Sequence, residues 1–120
     1  MALSKGDTIL LLHNPKCSKS RAAKALLEER GAAFEVRTYL EEPLDRAELD
    51  ELAGLLDRAP DEWVRSGQSE YGEAGLDASS SPDELLDAMV SHPILVERPI
   101  AIRGGRAVVG RPPENVLELL

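Results

Sequence analysis

The sequence of 120 residues predicts an α/β fold in which a mixed four-stranded sheet is flanked by helices. Three features predict it. The chain begins with a strand, a helix and a second strand, the βαβ pattern with its right-handed crossover. A helical stretch follows, and the chain ends with a hairpin and a helix. We therefore expect a single domain, residues 1–120, with a helical insert at about 43–92 between the βαβ and ββα halves.

The first half of the sheet is predicted by two strand patterns on either side of a helix. Residues 8–13 form a continuous apolar run, which is typical of a strand buried on both faces. Asn14 and Pro15 break that run, and apolar residues at helical spacing over 18–30 predict a helix. Residues 33–39 then alternate and are rich in strand formers, so they predict a second strand.

The middle of the chain is predicted to be helical. Leucine spacing indicates a helix over 43–58, and two short helices are expected at 61–66 and 69–74. A helix over 81–90 begins with serine, proline and two carboxylates, which are the residues favoured at a cap and first turn.

The last third returns to strands. Two short apolar runs, 100–103 and 106–109, flank a Gly-Gly pair, which is the signature of a hairpin with a two-residue turn. Prolines then open a final helix over 112–119. This order of elements matches a thioredoxin-like fold that carries a helical insert.

Composition excludes several classes of function. The chain carries 14 basic and 22 acidic residues, for a net charge of −8, so a nonspecific nucleic-acid binder is not expected. One cysteine and two histidines are too few for a zinc site of Cys and His ligands. No apolar run has the length of a transmembrane span or secretory signal. We expect a monomeric cytoplasmic protein whose single thiol stays reduced and which contacts neither nucleic acid nor membrane.

Charge is unevenly distributed along the chain. Residues 41–97 carry 3 basic and 16 acidic groups, whereas the flanking segments are net basic. Two stretches, 13–21 and 98–111, contain basic residues and no acid. If the fold brings them together, an acidic protein would hold a local site that attracts anions. Arg103 and Arg106 flank the Gly-Gly turn and fit an ordinary role as edge charges that discourage sheet pairing.

Cys17 is the candidate reactive residue because it follows the first strand and lies at the start of the first helix. Free backbone N–H groups and the helix dipole favour a thiolate at that position. Lys16, Lys19 and Arg21 add positive charge, and the Ser20 hydroxyl is a candidate donor to the sulfur. The alternative is a buried structural cysteine, but its neighbours are polar and basic rather than apolar.

The residues that follow the cysteine exclude two known types of cysteine site. A phosphatase-type anion loop needs arginine six places after the cysteine, where this chain has Ala23. A thioredoxin-type CxxC pair is also absent, because Ser20 occupies the fourth position. One thiol cannot resolve its own adduct, so any redox turnover requires an external thiol.

Three motifs stand out along the chain: the segment 13–21 reads HNPKCSKSR, residues 97–100 read ERPI, and residues 110–112 read GRP. Together they resemble the glutaredoxin-coupled arsenate reductase family, which has a thioredoxin-like fold and includes the Spx-type regulators among its relatives. The similarity extends in the same order over about residues 8–120.

The resemblance implies roles around the cysteine. Cys17 would be the nucleophile toward arsenate, His13 would support its low pKa, and Ser20 would donate a hydrogen bond to the thiolate. For His13, which ends an apolar strand, a satisfied core histidine is a competing interpretation.

The resemblance also assigns Arg98, Arg111 and Arg65 to the anion site and implies a cis peptide bond between Arg98 and Pro99. Guanidinium groups suit a tetrahedral oxyanion because they bind its oxygens bidentately and stay charged. An ordinary salt bridge in the acidic helical insert is an equal alternative for Arg65.

The function implied by the resemblance is reduction of arsenate to arsenite through a covalent Cys17 adduct. No cofactor or metal would be bound; glutathione would serve as the external thiol, and glutaredoxin would reduce the resulting mixed disulfide. Two alternatives remain open: an Spx-like redox-responsive regulator that binds RNA polymerase, and a thiol oxidoreductase with an unknown substrate.

Overall fold

The computed structural model describes residue 3 and residues 6–120, and its elements follow the predicted order. The described residues form four strands, four α-helices and three short 3-10 helices. The strands and α-helices are β1 (Ile9–His13), α1 (Ser18–Glu29), β2 (Phe34–Thr38), α2 (Arg46–Leu56), α3 (Ser69–Glu73), α4 (Pro82–Ser91), β3 (Ile100–Arg103) and β4 (Arg106–Val109). The 3-10 helices are Pro60–Glu62, Pro93–Leu95 and Pro113–Leu119.

The strands form one mixed sheet in the order β2-β1-β3-β4. β1 pairs with β2 in parallel, and β3 pairs antiparallel with both β1 and β4. Helices cover both faces of this sheet, so the predicted fold class is confirmed. The carboxyl end of β1 and the amino end of β3 lie at the same edge, which brings Cys17 and Arg98 toward one another.

The core lies in two apolar layers, one on each face of the sheet. Successive side chains of a strand point to opposite faces, so Leu10 and Leu12 of β1 join one layer while Ile9 and Leu11 join the other. The larger layer packs α2, α4 and the fully buried Trp63 against the sheet. The smaller layer packs α1 and the last 3-10 helix. Both layers pack against β1, so the strand that precedes the cysteine loop is buried on both faces.

Three predicted elements differ from the structure. The helix expected at 61–66 is a 3-10 turn that ends at Glu62, because the next residues enter the core and form a β-bridge between Val64 and Val96. The final helix is 3-10 rather than α, and its buried residues Val116 and Leu119 follow that three-residue period. Helix α2 begins three residues after Pro43, at a capping box built on Asp45.

No helix in the described part of the chain has the length and apolar character needed to cross a membrane.

Candidate active site

The loop between β1 and α1 places Cys17 at the N-terminal cap of α1. The loop is held by its own backbone: the Cys17 N–H donates to the Asn14 carbonyl at 3.0 Å, and the Lys16 N–H donates to the Asn14 side chain at 3.0 Å. The Cys17 carbonyl then accepts the first helical hydrogen bond, from Arg21, at 3.0 Å. The predicted position of the cysteine at the helix start is therefore correct.

The environment of Cys17 favours its thiolate. The side chain is half-buried, and this desolvation raises the pKa of the thiol. Hydrogen bonds from the backbone N–H groups of Ser20 and Lys19, together with the charges of Arg98 and Arg111, lower that pKa by more. The net pKa of Cys17 lies below its ordinary value, as the helix start predicts.

His13 and Ser20 form a buried pair behind the cysteine loop rather than a direct contact with the sulfur. The His13 Nδ1 and Ser20 Oγ atoms are 2.6 Å apart, and the same hydroxyl accepts from the Asn14 N–H at 3.0 Å. Both side chains are almost fully buried. The contact of Ser20 that lowers the pKa of Cys17 comes from its backbone N–H, while its hydroxyl contacts His13 and the Asn14 N–H; a hydrogen bond from the hydroxyl to the thiolate stays a prediction.

Burial also determines the protonation of His13. Desolvation lowers the pKa of the imidazole, and the charges of Lys24 and Arg21 lower it further. A neutral imidazole that supports the loop fits the interpretation of a satisfied core histidine. Through Ser20, His13 is joined to the Asn14 N–H at the start of the cysteine loop.

A second part of the site is formed by the residues just before β3 and just after β4. The Arg98–Pro99 and Arg111–Pro112 peptide bonds are both cis; only the first was expected. The Gly110 N–H donates to the Pro99 carbonyl at 2.8 Å. A Cβ atom on Gly110 would lie 2.7 Å from the Pro99 ring, so this close approach requires glycine. The Arg111 guanidinium donates to the Arg98 carbonyl at 2.9 Å, which fixes the two arginines side by side.

Arg98 has hydrogen-bond donors that the protein does not satisfy. Its Nε and Nη1 atoms are buried and have no partner within the described residues. A buried guanidinium nitrogen without an acceptor is costly, and such groups are usually paired. Because the Arg98 charge also acts on Cys17, an anion bound beside the sulfur would supply the missing acceptors.

Arg65 lies in the helical insert, beside the residues that precede β3. The Val64–Val96 bridge is flanked by two backbone hydrogen bonds, Arg65 N–H to Leu95 at 2.8 Å and Glu97 N–H to Trp63 at 3.1 Å. These bonds bring Arg65 beside Glu97, with Arg65 Nε 3.7 Å from Glu97 Oε1. Arg65 thus forms a salt bridge, as one interpretation expected, and it does so with the residue next to Arg98; its part in binding an anion stays a prediction.

Glu97 joins the arginines into one cluster. Its Oε1 atom lies 3.3 Å from Arg111 Nη1 and accepts from the Arg98 backbone N–H at 3.1 Å. Gln68, with its amide oxygen turned toward Arg65, accepts from both terminal guanidinium nitrogens at 2.9 and 3.0 Å. Arg65, Gln68, Glu97 and Arg111 line an open cavity of about 250 Å³.

Sequence reasoning did not identify Glu97, Gln68 or Tyr39 as parts of the site. Tyr39 is fully buried and donates from its hydroxyl to the Val96 carbonyl at 3.0 Å, which supports the segment that carries Glu97. Glu97 had two available signals: it opens the ERPI motif, and it is the acid immediately before an acid-free basic stretch.

The remaining arginines of that stretch lie elsewhere. Arg103 donates to the Leu119 carbonyl at 2.7 Å, and Arg106 forms an ion pair with Glu118 at 3.0 Å. They attach the last 3-10 helix to the hairpin, so only Arg98 and Arg111 of the basic stretch face the site. Across residues 6–120 and residue 3, no cluster of His, Cys, Asp or Glu side chains could hold a metal ion.

Comparison with known proteins gives a consistent result. A model of the ArsC family matches residues 12–119. The chain is 47% identical over 114 residues to a protein of Neisseria meningitidis serogroup A named arsenate reductase, covering 93% of this chain and 97% of that protein. It is 45% identical over 114 residues to the uncharacterized protein YfgD of Escherichia coli, at 93% and 96% coverage. A solved structure titled arsenate reductase, from Vibrio cholerae, superposes with a TM-score of 0.90 at 43% identity, covering 97% of this chain and 100% of that one.

Proposed function

The chain belongs to the ArsC family, and from this we propose that it is an arsenate reductase whose nucleophile is Cys17. The single observation that carries the proposal is the pairing of an activated thiol with unsatisfied anion-binding donors. Cys17 is held at a helix start with its pKa lowered, and Arg98 directs buried, unpaired N–H groups into the same region. An anionic electrophile would react with the thiolate and supply the acceptors that the Arg98 donors lack.

Arsenate has the properties that this arrangement requires. It is a tetrahedral oxyanion, and its oxygens can accept hydrogen bonds from the buried, unpaired Nε and Nη1 atoms of Arg98. Arg111 lies beside Arg98 and adds a second positive charge, while Arg65 extends the cluster toward the cavity. These charges hold the substrate and stabilise the charge that builds on its oxygens as the sulfur attacks.

The first step is covalent. The Cys17 thiolate attacks arsenic(V), an As–S bond forms, and one arsenate oxygen takes up protons and leaves as water. No electron has yet been transferred in the redox sense, since arsenic remains in the +5 state. The helix start stabilises the attacking thiolate, and Arg98 and Arg111 oppose the negative charge of the adduct.

The second step transfers two electrons to arsenic. The thiolate of glutathione attacks the Cys17 sulfur, an S–S bond forms, and the As–S bonding pair stays on arsenic. Arsenic is thereby reduced from +5 to +3 and departs as arsenite, while the two thiol sulfurs are oxidised to a mixed disulfide. A glutaredoxin thiol then reduces the mixed disulfide and restores Cys17. Because Cys17 is the single cysteine of the chain, an external thiol is required for this resolution.

His13 and Ser20 have a positioning role in this scheme. Their buried contact fixes the start of the loop through the Asn14 N–H, and the loop in turn fixes the backbone donors that face the sulfur. Their effect on turnover comes from the geometry of the loop.

The test is arsenite formation from arsenate with glutathione and glutaredoxin. We expect turnover by the wild-type protein, none by Cys17→Ser, and a loss of about a hundredfold in kcat/KM for Arg98→Ala. Arg103→Ala is the matched control, because Arg103 contacts the last 3-10 helix instead of the site, and it should retain nearly full activity. Absence of arsenite with every component present would overturn the proposal and favour a thiol oxidoreductase acting on another substrate.

A further inference from the structure

One carboxylate lies among the arginines of the site. Glu97 contacts both Arg65 and Arg111, lines a cavity of about 250 Å³ with them, and is only 23% exposed. A site that binds anions through charge alone gains nothing from this group, because a carboxylate cancels part of the positive charge and repels an incoming anion. The presence of the Glu97 carboxylate among these arginines therefore needs an explanation other than charge.

The contacts of Glu97 leave one of its oxygens available. Oε1 is occupied by the Arg98 N–H and Arg111 Nη1 and lies near Arg65 Nε. Oε2 makes no hydrogen bond with any residue that the structure describes. A carboxylate oxygen can only accept hydrogen bonds, so a ligand that meets Oε2 must bring a proton.

We propose that Glu97 is a specificity-determining residue that selects oxyanions which still carry a hydroxyl. This inference rests on the proposed function and defines the substrate class of the same site. Arsenate and phosphate retain at least one acidic proton at neutral pH and can donate it to Glu97 Oε2. Sulfate retains none, so its oxygen would face the carboxylate oxygen with no hydrogen between them. A site built to pair with a substrate hydroxyl rejects the analogue that lacks it, because the polar group of the site then faces the bound analogue without a partner.

The fixed geometry of Glu97 is what makes such rejection effective. Two hydrogen bonds and a longer ion pair with Arg65 hold Oε1, and the neighbouring backbone is held by the bridge to the insert. Rotation of the carboxylate away from sulfate would break these charge-assisted contacts. The repulsion is thus retained when the wrong anion enters.

The experiment measures protection of Cys17 from iodoacetamide, a readout that does not require turnover. Sodium phosphate, arsenate and sulfate are titrated at constant ionic strength, and each alkylation rate is divided by the anion-free rate of the same variant. For the wild-type protein we expect phosphate and arsenate to protect at concentrations at least about tenfold lower than sulfate does. In Glu97→Gln, where the amide can donate to sulfate, this preference should shrink to about threefold or less.

Two variants make the result specific. Glu118→Gln removes a carboxylate that is also paired with arginine, but outside the site, and it should keep the wild-type preference. Glu97→Asp keeps the charge on a shorter stem and should retain part of the preference. An unchanged preference in Glu97→Gln, or equal tightening of phosphate and sulfate binding, would overturn the proposal. Failure of the proposed function looks different: arsenate and phosphate would not protect wild-type Cys17 at all, which removes the oxyanion site and this selectivity with it.

Discussion

At the scale of single residues, the reactivity of Cys17 depends on two kinds of positive group. Backbone donors at the helix start and the guanidinium groups of Arg98 and Arg111 together outweigh the desolvation of the sulfur. We predict that the alkylation rate of Cys17 rises with pH at a midpoint below that of an ordinary thiol. Arg98→Ala should move the midpoint upward, because one favourable charge is lost, and Arg103→Ala should leave it in place. A midpoint typical of free cysteine in the wild-type protein would contradict this account.

Ser20 separates the contribution of a side chain from that of the backbone. Ser20→Ala removes the acceptor of the Asn14 N–H but retains the N–H that faces the sulfur. We predict a loss of about 1–3 kcal/mol in the free energy of unfolding, measured with urea, because a buried donor is left unpaired. The pKa of Cys17 should shift less than it does in Arg98→Ala. A larger shift in Ser20→Ala would instead indicate that the hydroxyl itself stabilises the thiolate.

Predictions for single residues were accurate where neighbouring residues in the sequence determine the local structure. The position of Cys17 at a helix start follows from neighbouring residues alone, and the structure places it there. The contacts of the Ser20 hydroxyl with His13 and Asn14 were not foreseen, because they depend on how the end of β1 packs against the first turn of α1. The contacts of Glu97 with Arg65 could not be foreseen, since they depend on a bridge between segments about thirty residues apart in sequence.

At the scale of elements, Gly110 couples the end of β4 to the start of β3. Gly110→Ala would place a methyl group against Pro99 and Val116, and one of these must move. We predict a loss of about 1–3 kcal/mol in unfolding free energy together with weaker protection of Cys17 by arsenate. Gly105→Ala is the matched control, because a Cβ at Gly105 meets no atom within 4 Å. Equal behaviour of the two variants would show that the close approach at Gly110 does not shape the site.

Elements with local signals were predicted well, and the exceptions have tertiary causes. The serine cap and first-turn carboxylates of α4 form the expected capping box, and the hairpin forms around the expected Gly-Gly turn. The segment after Pro60 shows helical spacing, but burial of Trp63 and the pairing of Val64 with Val96 override it. Local propensity is a weak guide wherever packing competes with it.

At the scale of the whole molecule, the buried His13 makes stability depend on pH. Its pKa is lowered in the folded protein below the value of 6.5 for a free histidine, first by burial and then by Lys24 and Arg21. The unfolded chain therefore takes up this proton more readily, and stability falls as pH drops below about 6.5. In urea titrations between about pH 7.5 and 5.5, we predict a shallower loss for His13→Gln than for the wild-type protein. Identical slopes would show that His13 is not the group responsible.

Charge distribution connects the whole molecule with its site. The protein is acidic overall, yet the structure brings together the two basic stretches that the sequence separates by some eighty residues. Their convergence was expected only conditionally, because charge patterning along a chain does not determine which segments meet. The topology supplies that step by pairing β1 with β3.

The most direct test of the account is whether arsenate drives the joining of Cys17 to an external thiol. The protein is incubated with reduced glutathione, with or without arsenate and without glutaredoxin, and its intact mass is measured. We predict that one glutathione is added at Cys17 when arsenate is present, and that the addition is absent without arsenate and in Cys17→Ser. Equal addition with and without arsenate, or no addition in either case, would contradict the central claim.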